Sequence, residues 1–278
     1  MRGLAGKTVV INGAGRHRGL GEGIARRFVE EGSNVVIGDL DRPSGKHFPE
    51  HGVPAPTERE EVAAELTRIG PGRCVSFPAD VRSATEVKAL MEAAVAEFGG
   101  IDVLVNNAGV GYLMSPVVET DEEDWDIVLD VNLKGTFLAT KYAAQRMIEQ
   151  GRGGRIINIS SQGGKSGFPH ASAYVSSKHG VIGFTRSVAI ELGPHGITVN
   201  AVCPNHVTTG LGAWQNQYFS ALMGQTEEEY LAAMRGRIPL GRTGRPEDIA
   251  AACCFLASDD GAYISGDALN VSGGEETH

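Results

Sequence analysis

The length, composition and charge of the chain exclude several broad classes of protein. Its 278 residues, 41% of them hydrophobic, suffice for one large α/β domain, and no apolar run is long enough to span a bilayer. The formal net charge of −9 and the lack of a signal-like N-terminal segment predict a soluble, cytoplasmic protein whose partners are neither nucleic acid nor membrane.

Short β-rich runs alternate along the chain with longer segments of helical periodicity. The predicted strands lie near residues 8–12, 34–39, 73–80, 101–106, 154–160, 197–203 and 268–272. The predicted helices lie near residues 19–31, 58–69, 84–98, 122–150, 172–192 and 246–257. This alternation predicts a single α/β domain over residues 1–278, with about seven strands in a doubly wound parallel sheet and helices on both faces. Ligands bind such sheets at the carboxyl ends of the strands, which is where the sequence places Asp39, Asp80, Asn106, Ser161 and Pro204.

The first predicted strand ends in a glycine-rich turn that is typical of nucleotide-binding sites. The apolar run at residues 8–12 is followed by Gly13-Ala14-Gly15-Arg16-His17-Arg18-Gly19-Leu20-Gly21 and then by a helical pattern. Glycines let the backbone approach a pyrophosphate closely, and the helix N-terminus offers free N–H groups. We therefore predict a nucleotide phosphate site, with a merely flexible loop as the alternative.

An acidic residue, Asp39, ends the second predicted strand and helps to distinguish NAD from NADP as the cofactor. Asp39 would accept hydrogen bonds from adenosine ribose hydroxyls and repel a 2′-phosphate, which favours NAD over NADP. Arg16 and Arg18 favour NADP, since either side chain could pair with a phosphate. A purely structural Asp39 that caps the turn is the third interpretation.

Residues 41–57 interrupt the alternation of strands and helices. This segment contains four prolines and two glycines, which is too many helix breakers for a helix. We predict a surface insertion near the adenosine end of the nucleotide site, with a passive loop as the alternative.

A tyrosine and a lysine with helical spacing predict an acid/base site. Tyr174 and Lys178 are four residues apart, so a helix would place them on the same face. A neighbouring ammonium group lowers the pKa of a phenol, which makes tyrosine a usable general acid or base. Ser161 lies 13 positions before Tyr174 and can reach the same site. An ordinary pair of helix surface residues is the alternative.

Several further motifs resemble those of the short-chain dehydrogenase/reductase family, and the resemblance covers nearly the whole chain. The matching motifs are, in family order, Gly15-x-x-x-Gly19-x-Gly21, Asp80-Val81, Asn106-Asn107-Ala108-Gly109, Asn132, Ser161, Tyr174-x-x-x-Lys178, Pro204 and Thr209. The resemblance implies a Rossmann-type fold. It also implies an NAD-dependent alcohol dehydrogenase or ketone reductase, which transfers a hydride between nicotinamide and a secondary alcohol or ketone.

The same resemblance implies a role for each matching residue. Tyr174 would exchange a proton with the substrate oxygen, and Ser161 would form a hydrogen bond to that oxygen. Lys178 would lower the pKa of Tyr174 and bind the nicotinamide ribose, while Asn132 would hold a water on the proton path. The residues implied to bind the cofactor are Gly15, Arg18, Gly19, Leu20, Gly21, Asp39, Asp80, Val81, Asn107, Ala108, Gly109, Tyr174, Lys178, Pro204, Val207 and Thr209.

Two departures from the family pattern bear on the cofactor site. Asn12 stands in place of the usual threonine, and Gly13 comes two residues too early for the family spacing, which Gly15 restores. We therefore expect a longer loop over the phosphates. Asn205 replaces the glycine after Pro204, and we expect the turn to survive because asparagine tolerates left-handed dihedral angles.

Residues 205–240 form the second interruption of the strand and helix pattern and correspond to the substrate lid of the family. Trp214, Tyr218 and Leu222 recur at helical spacing, which predicts one apolar helix face that closes over substrate. An apolar stripe packed permanently on the core or on a neighbouring subunit is the alternative. The polar residues that flank the motifs, and that either line the substrate pocket or are ordinary polar residues, are Tyr112, Gln162, His170 and His206.

The resemblance also implies a homo-oligomer, most often a tetramer built on the two long helices that carry Asn132 and Tyr174. Small and apolar residues on these helices support this expectation, because a monomer would expose such faces. They are Gly135, Ala139, Ala143, Ala144, Val181, Phe184 and Val188.

The cysteines and histidines predict neither a metal site nor a disulfide framework. The four cysteines, at positions 74, 203, 253 and 254, lack metal-ligand spacing, and free thiols are the simplest interpretation. The eight histidines are scattered as well.

Two other functions remain possible from the sequence. A redox sensor or scaffold could bind the dinucleotide without turnover, although the intact Ser161, Tyr174 and Lys178 argue against it. An epimerase or dehydratase could use the same fold, but such enzymes normally carry a different glycine turn and a larger C-terminal substrate domain.

Overall fold

Seven parallel strands form one sheet in the part of the chain that the computed structural model describes, namely residues 1–41, 54–55, 57–111, 113–207 and 209–278. The strands are β1 (Thr8–Asn12), β2 (Asn34–Asp39), β3 (Cys74–Pro78), β4 (Val103–Asn106), β5 (Gly154–Ile159), β6 (Ile197–Pro204) and β7 (Ala268–Val271). Their order is β3-β2-β1-β4-β5-β6-β7. Since the order reverses direction at β1 and β4, a crevice opens at their carboxyl ends, and this is where the sheet is expected to bind ligands.

Helices connect the strands and cover both faces of the sheet. They are α1 (Leu20–Glu30), α2 (Glu58–Ile69), α3 (Ala84–Phe98), α4 (Glu122–Leu129), α5 (Gly135–Gln150), α6 (Ser172–Leu192), α7 (Gly210–Leu222), α8 (Glu227–Arg237) and α9 (Pro246–Ala257). The doubly wound parallel α/β fold predicted from the sequence is therefore confirmed. In the described residues, no helix is both long and apolar enough to cross a membrane.

The segment predicted as one helix over residues 122–150 is divided. A π-helical turn at Asp130–Lys134 separates α4 from α5. Such turns insert an extra residue into the helix and frequently occur at functional sites. The turn contains Asn132, whose buried side chain is hydrogen-bonded to Val110 in the loop after β4 rather than exposed on a regular helix face.

The strands alternate their side chains between two apolar cores. Leu104 packs on one face of the sheet with Met147 of α5, while Val105 packs on the other face with Phe28 of α1. All four side chains are buried. This burial on both faces explains why the strands are almost continuously apolar in sequence.

A row of buried polar side chains crosses the carboxyl ends of three neighbouring strands. Asn12, Asn106 and Asn158 are register partners on β1, β4 and β5. The Asn12 side-chain amide donates to Asn106 Oδ1 at 2.8 Å, and the Asn106 amide donates to Asn158 Oδ1 at 2.8 Å. Asn106 also donates to Thr140 Oγ1 of α5, and Asn158 donates to Thr185 Oγ1 of α6. We call these five residues the asparagine ladder.

The helix faces expected to form a subunit interface mostly lie inside the protomer. The residues buried there are Gly135, Ala139, Ala143, Ala144 and Val181. Their small side chains let α5 and α6 approach the sheet and the neighbouring helices closely, so the sequence pattern reflected the core of one protomer. The large apolar residues that these two helices do expose include Phe137, Ile148 and Ile190.

The two irregular segments differ in what the structure describes. Most of the predicted insertion at 41–57 lies outside the described residues, and so does Tyr112. The predicted lid contains α7 and α8, which pack on each other through Phe219 and Tyr230. The start of α8 has a capping box in which Thr226 and Glu229 satisfy each other's backbone N–H groups.

Candidate active site

The glycine turn after β1 brings two backbone segments into direct contact. Gly13 has a φ of +68°, and a Cβ atom on it would lie 2.5 Å from Ala108 Cα. A Cβ atom on Gly21 would lie 2.4 Å from the Gly13 carbonyl oxygen. Glycine is therefore required at both positions. The loop begins at Gly13, two residues before the Gly15 position that the family spacing selects, and it spans residues 13–19 between β1 and α1.

Gly15 supports the acidic residue at the end of β2. Its N–H donates to Asp39 Oδ2 at 2.8 Å, and Asp39 Oδ1 accepts the Leu40 N–H at 2.8 Å. Burial raises the pKa of Asp39, while these two hydrogen bonds and the charges of Arg16 and Arg59 act in the opposite direction. The carboxylate lines the cavity described below.

Three arginines near the glycine turn differ in position. Arg16 lines the cavity. Arg18 has a φ of +58°, is exposed and lies outside the cavity lining, while its N–H donates to Glu22. Arg59 is 4% exposed and donates to Asp41 Oδ1 from both terminal nitrogens. Sequence reasoning missed Arg59 because its position beside Gly15 depends on how α2 packs against the glycine turn.

The loop after β4 is fastened to the glycine turn. Asn12 Oδ1 accepts the backbone N–H groups of Asn107 at 2.9 Å and Ala108 at 2.8 Å. The Asn107 side-chain amide donates in turn to the Gly13 carbonyl at 2.6 Å. Asn12, which stands in place of the family threonine, thus uses its amide oxygen to hold the loop after β4.

Asp80 is held by its own loop. Arg82 forms a bidentate ion pair with the Asp80 carboxylate, in which Nε donates to Oδ1 at 3.0 Å and Nη2 donates to Oδ2 at 2.5 Å. Arg82 therefore fixes the orientation of the Asp80 side chain. Asp80 and Val81 both line the cavity.

The Asn132 side chain connects the loop after β4 to α6. Its Oδ1 accepts the Val110 N–H at 2.8 Å, and its amide donates at 3.0 Å to both the Val110 carbonyl and Ser177 Oγ. Its backbone carbonyl accepts a hydrogen bond from Thr136 Oγ1. Through these hydrogen bonds, Asn132 fixes the loop after β4 to α6.

The predicted acid/base residues converge at the carboxyl ends of β5 and β6. A hydrogen bond joins the Ser161 and Tyr174 side chains, and Ser161 Oγ also accepts the Gly163 N–H at 3.0 Å. Lys178 Nζ lies 5.7 Å from the centroid of the Tyr174 ring and donates to the Ile159 carbonyl at 2.8 Å. The structure thus brings the three side chains together as the helical spacing predicted.

The electrostatics of this group differ from the sequence-based expectation. Burial raises the pKa of Tyr174, and the hydrogen bond from Ser161 offsets part of that increase. Burial lowers the pKa of Lys178 from 10.5 to about 8. The expected lowering of the Tyr174 pKa by Lys178 is not found. Burial is the largest influence on Tyr174, and Lys178, with a pKa of about 8, is largely neutral at the higher pH at which a buried tyrosine ionises.

One continuous cavity of about 520 Å³ connects the glycine turn with the predicted acid/base residues. Of the predicted site residues, it is lined by Gly19, Leu20, Gly21, Asp39, Asp80, Val81, Asn107, Ala108, Gly109, Ser161, Tyr174, Lys178, Pro204, Val207 and Thr209. Gly15, Arg18 and Asn132 lie outside that lining. Thr209 also caps α7, because its hydroxyl accepts the Gly212 N–H at 3.4 Å.

Beyond Tyr174 the cavity has mostly apolar walls, and we call this region the substrate end. It is lined by Phe168, Phe219, Leu222, Met223, Tyr230, Met234, Arg237 and Glu275, and by the predicted Gln162 and His206. His170 does not line the cavity. Its Nδ1 lies 2.9 Å from Tyr218 Oη, which joins the loop before α6 to α7.

Asn205 does not adopt the left-handed conformation that its family position suggested. In the described residues, Arg18 and His170 are the non-glycine residues with positive φ. The Asn205 side-chain amide instead donates to the Glu275 carboxylate. The asparagine therefore fixes a residue of the C-terminal segment at the substrate end.

The residues of the cleft fit a dinucleotide. The glycines at positions 13 and 21 let the turn pack closely beside the start of α1, where no described side chain caps the helix. The helix N-terminus favours a phosphate, and Asp39 offers carboxylate oxygens for hydroxyl groups. In the described residues, no group of three or more potential metal-ligating side chains is placed to hold a metal ion.

Comparisons with known proteins show similar sequences and similar folds. A family model described as Enoyl-(Acyl carrier protein) reductase matches residues 13–276. A short-chain dehydrogenase/reductase of Armillaria gallica is 38% identical over 269 residues, which cover 97% of this chain and 95% of that protein. The structure of carveol dehydrogenase from Mycobacterium avium in complex with NAD has a TM-score of 0.91 at 31% identity and covers 99% of both chains. The structure of a variant of actinorhodin polyketide ketoreductase with NADPH has a TM-score of 0.86 at 36% identity and covers 100% of both chains.

The buried lysine predicts a specific dependence of stability on pH. Below about pH 8, the folded protein without cofactor must bury a charged ammonium group; above that value the group is neutral in the folded state but still charged in the unfolded state up to 10.5. The free energy of unfolding of the wild type, relative to Lys178→Met, should therefore rise by roughly 1.5 kcal/mol between about pH 8 and pH 9.5. Urea unfolding measures this difference. The exposed Lys141→Met is the control, and an identical pH dependence in all three proteins would refute the assignment.

Proposed function

The chain belongs to the short-chain dehydrogenase/reductase family, and from that premise we propose that it is an NAD-dependent oxidoreductase that transfers a hydride between nicotinamide and a secondary alcohol or ketone. One observation carries the proposal. The hydrogen-bonded Ser161 and Tyr174 and the buried Lys178 line the same cavity as Asp39 and the glycine turn. A dinucleotide in the cleft and a substrate oxygen at Tyr174 would thus be close neighbours.

Tyr174 is proposed as the proton donor and acceptor. NAD, when bound, supplies the hydride chemistry at C4 of its nicotinamide ring. Because burial raises the pKa of Tyr174, the phenol is protonated at neutral pH and can donate to the oxygen of a ketone during reduction. In the direction of alcohol oxidation, the same group must accept a proton, so a higher pH favours that direction.

Ser161 and Lys178 are proposed to support the proton transfer. The Ser161 hydroxyl can turn from Tyr174 to the substrate oxygen as negative charge develops on it. Lys178, held by the Ile159 carbonyl, lies beside the Tyr174 ring and can bind the nicotinamide ribose. Asn132 positions these residues through Ser177 of α6, and its contribution is therefore geometric.

NAD is proposed as the preferred cofactor because of Asp39. Its carboxylate lies at the end of β2, lines the cleft and is oriented by the backbone of Gly15 and Leu40. A 2′-phosphate near this carboxylate would meet electrostatic repulsion. Of the two structural neighbours described above, one contains NAD and the other NADPH. The proposed preference for NAD over NADP therefore rests on Asp39.

The segment at residues 205–240 is proposed as a lid and the protein as a homo-oligomer, with a tetramer favoured. Gln215 of α7 donates to the Gly111 carbonyl at 3.3 Å, which places the lid helix against the loop beside Tyr174. The exposed Phe137 packs edge-to-face on Phe184 between α5 and α6, and such exposed apolar side chains favour a subunit contact.

Replacing Tyr174 by phenylalanine tests the proposed chemistry. The variant should lose at least about 100-fold in kcat/KM for ketone reduction, because it lacks the proton donor. NADH affinity, measured by calorimetry, should change little since the phosphate and ribose contacts remain. Tyr142→Phe on α5 is the matched control and should keep its activity. A Tyr174→Phe enzyme with more than about a tenth of the wild-type rate would rule out general acid/base catalysis by this residue.

Asp39 predicts the cofactor preference. The wild type should use NAD at least about tenfold more efficiently than NADP, because a hydrogen bond to a charged group contributes roughly 1.5–3 kcal/mol. Asp39→Asn should narrow this ratio, while Asp41→Asn should leave it nearly unchanged. The ratio should also fall at acidic pH, since protonation of a carboxyl with a raised pKa removes its repulsion of the phosphate. Equal kcat/KM with both cofactors in the wild type would contradict the assignment.

A further inference from the structure

The substrate end of the cavity carries an ion pair at its mouth. Arg237 Nε lies 3.6 Å from Glu275 Oε1, and both residues line the cavity. Among the described lining residues, the other charged groups are Arg16, Asp39, Asp80 and Lys178, which lie at the cofactor side. The pair is therefore the charged feature that a substrate meets beyond Tyr174.

The fold builds this pair from two distant segments. Arg237 is the last residue of α8, and Glu275 follows a turn at Gly273 and Gly274 after β7. The Leu240 N–H donates to the Gly273 carbonyl at 3.1 Å, which ties the turn to the chain just after α8. A Cβ atom on Gly273 would lie 2.7 Å from the Ile238 side chain, so the two segments are in close contact.

Glu275 is held in a fixed orientation. The Asn205 side-chain amide donates to one carboxylate oxygen, and Arg237 faces the other. Only 16% of the Glu275 side-chain surface is exposed, compared with 60% for Arg237. The carboxylate is therefore a fixed acceptor, while the arginine fork, whose Nη2 also contacts Met234 Sδ, retains further N–H donors.

A wall of aromatic rings leads from Tyr174 toward this pair. Ring centroids lie 6.3 Å apart between Tyr174 and Phe168, 6.1 Å between Phe168 and Phe219, and 6.4 Å between Phe219 and Tyr230. Tyr230 is 7% exposed, and its electrostatic neighbours include Arg237 and Glu275. The wall favours a flat apolar body between the reacting oxygen and the ion pair.

The electrostatic balance at the mouth disfavours a charged substrate group. The Glu275 carboxylate compensates the Arg237 charge. A carboxylate or phosphate of the substrate would therefore be attracted by Arg237 and repelled by Glu275. His206, which contacts Tyr230, adds no fixed charge at neutral pH because burial lowers its pKa. A hydroxyl group, which both donates and accepts, matches a carboxylate acceptor beside guanidinium donors.

We propose that Arg237 and Glu275 form a second binding point that recognises an uncharged hydroxyl group at the far end of the substrate. The substrate class is then a secondary alcohol or ketone with a flat apolar ring and a distal hydroxyl. This inference rests on the proposed oxidoreductase function and deepens it.

Matched ketones test the inference. Benzylacetone and its para-hydroxy and para-carboxy derivatives share one ring and one reacting carbonyl, and differ only at the distal position. The wild type with NADH should reduce the para-hydroxy compound with about tenfold higher kcat/KM than benzylacetone, which is the size of one hydrogen bond to a charged group. The para-carboxy compound should be the poorest of the three.

Two variants assign the preference to the ion pair. Glu275→Gln leaves Arg237 uncompensated, so the para-carboxy compound should gain at least about tenfold relative to the para-hydroxy compound. Arg237→Met should abolish the advantage of the para-hydroxy compound over benzylacetone. Arg235→Met, an exposed change on the same helix, should leave the order unchanged. The same order of the three ketones in the wild type and in both ion-pair variants would overturn the proposal.

Binding measurements separate this inference from the proposed function. If none of the three ketones is reduced, ketone reduction fails as the function, but calorimetric titration of the ketones into protein with NAD still ranks them. The same hydroxyl preference in binding, with the same response to Glu275→Gln, would support the second binding point. Absence of binding by all three ketones would contradict it.

Discussion

A row of buried amide-to-amide hydrogen bonds holds the carboxyl ends of β1, β4 and β5 at fixed positions. Asn106, at the centre of the asparagine ladder, is 3% exposed and contacts Asn12 on one side and Asn158 on the other. A buried polar group destabilises the folded state unless it has a hydrogen-bond partner, because it loses its hydrogen bonds to water and gains none in the protein. The ladder therefore permits one register of the strands and disfavours alternatives.

The two halves of the proposed active site depend on opposite ends of this ladder. At the β1 end, Asn12 holds the loop that contains Asn107, and Asn107 holds the Gly13 carbonyl of the glycine turn. At the β5 end, Asn158 bonds to Thr185 on α6, the helix that carries Tyr174 and Lys178. The proposed nucleotide cleft and the proposed acid/base residues thus share one hydrogen-bonded support, which suits a reaction that needs a cofactor and a proton donor in fixed relative positions.

The sequence predicted the strands, most helices and the residues that line the cleft, because these follow from local periodicity and from ordered motifs. It could not predict features that depend on contacts between distant segments. The π-helical turn around Asn132, the exposed position of Arg18 and the raised pKa of Tyr174 all arise from packing and burial in three dimensions. Asn12 and Asn205 looked like exceptions to a pattern, yet each forms a side-chain contact that the sequence alone does not reveal.

Equilibrium urea unfolding of Asn106→Leu tests most directly whether the ladder supports the site. The substitution leaves the Asn12 amide and the Asn158 carbonyl oxygen buried without their partner, so the free energy of unfolding should fall by at least about 3 kcal/mol. Thr140→Val is the matched control. It removes one partner of Asn106 while the bond to Asn158 remains, and it should cost only about 1 kcal/mol. Equal, small losses in the two variants would show that the asparagine ladder does not hold the strands as described.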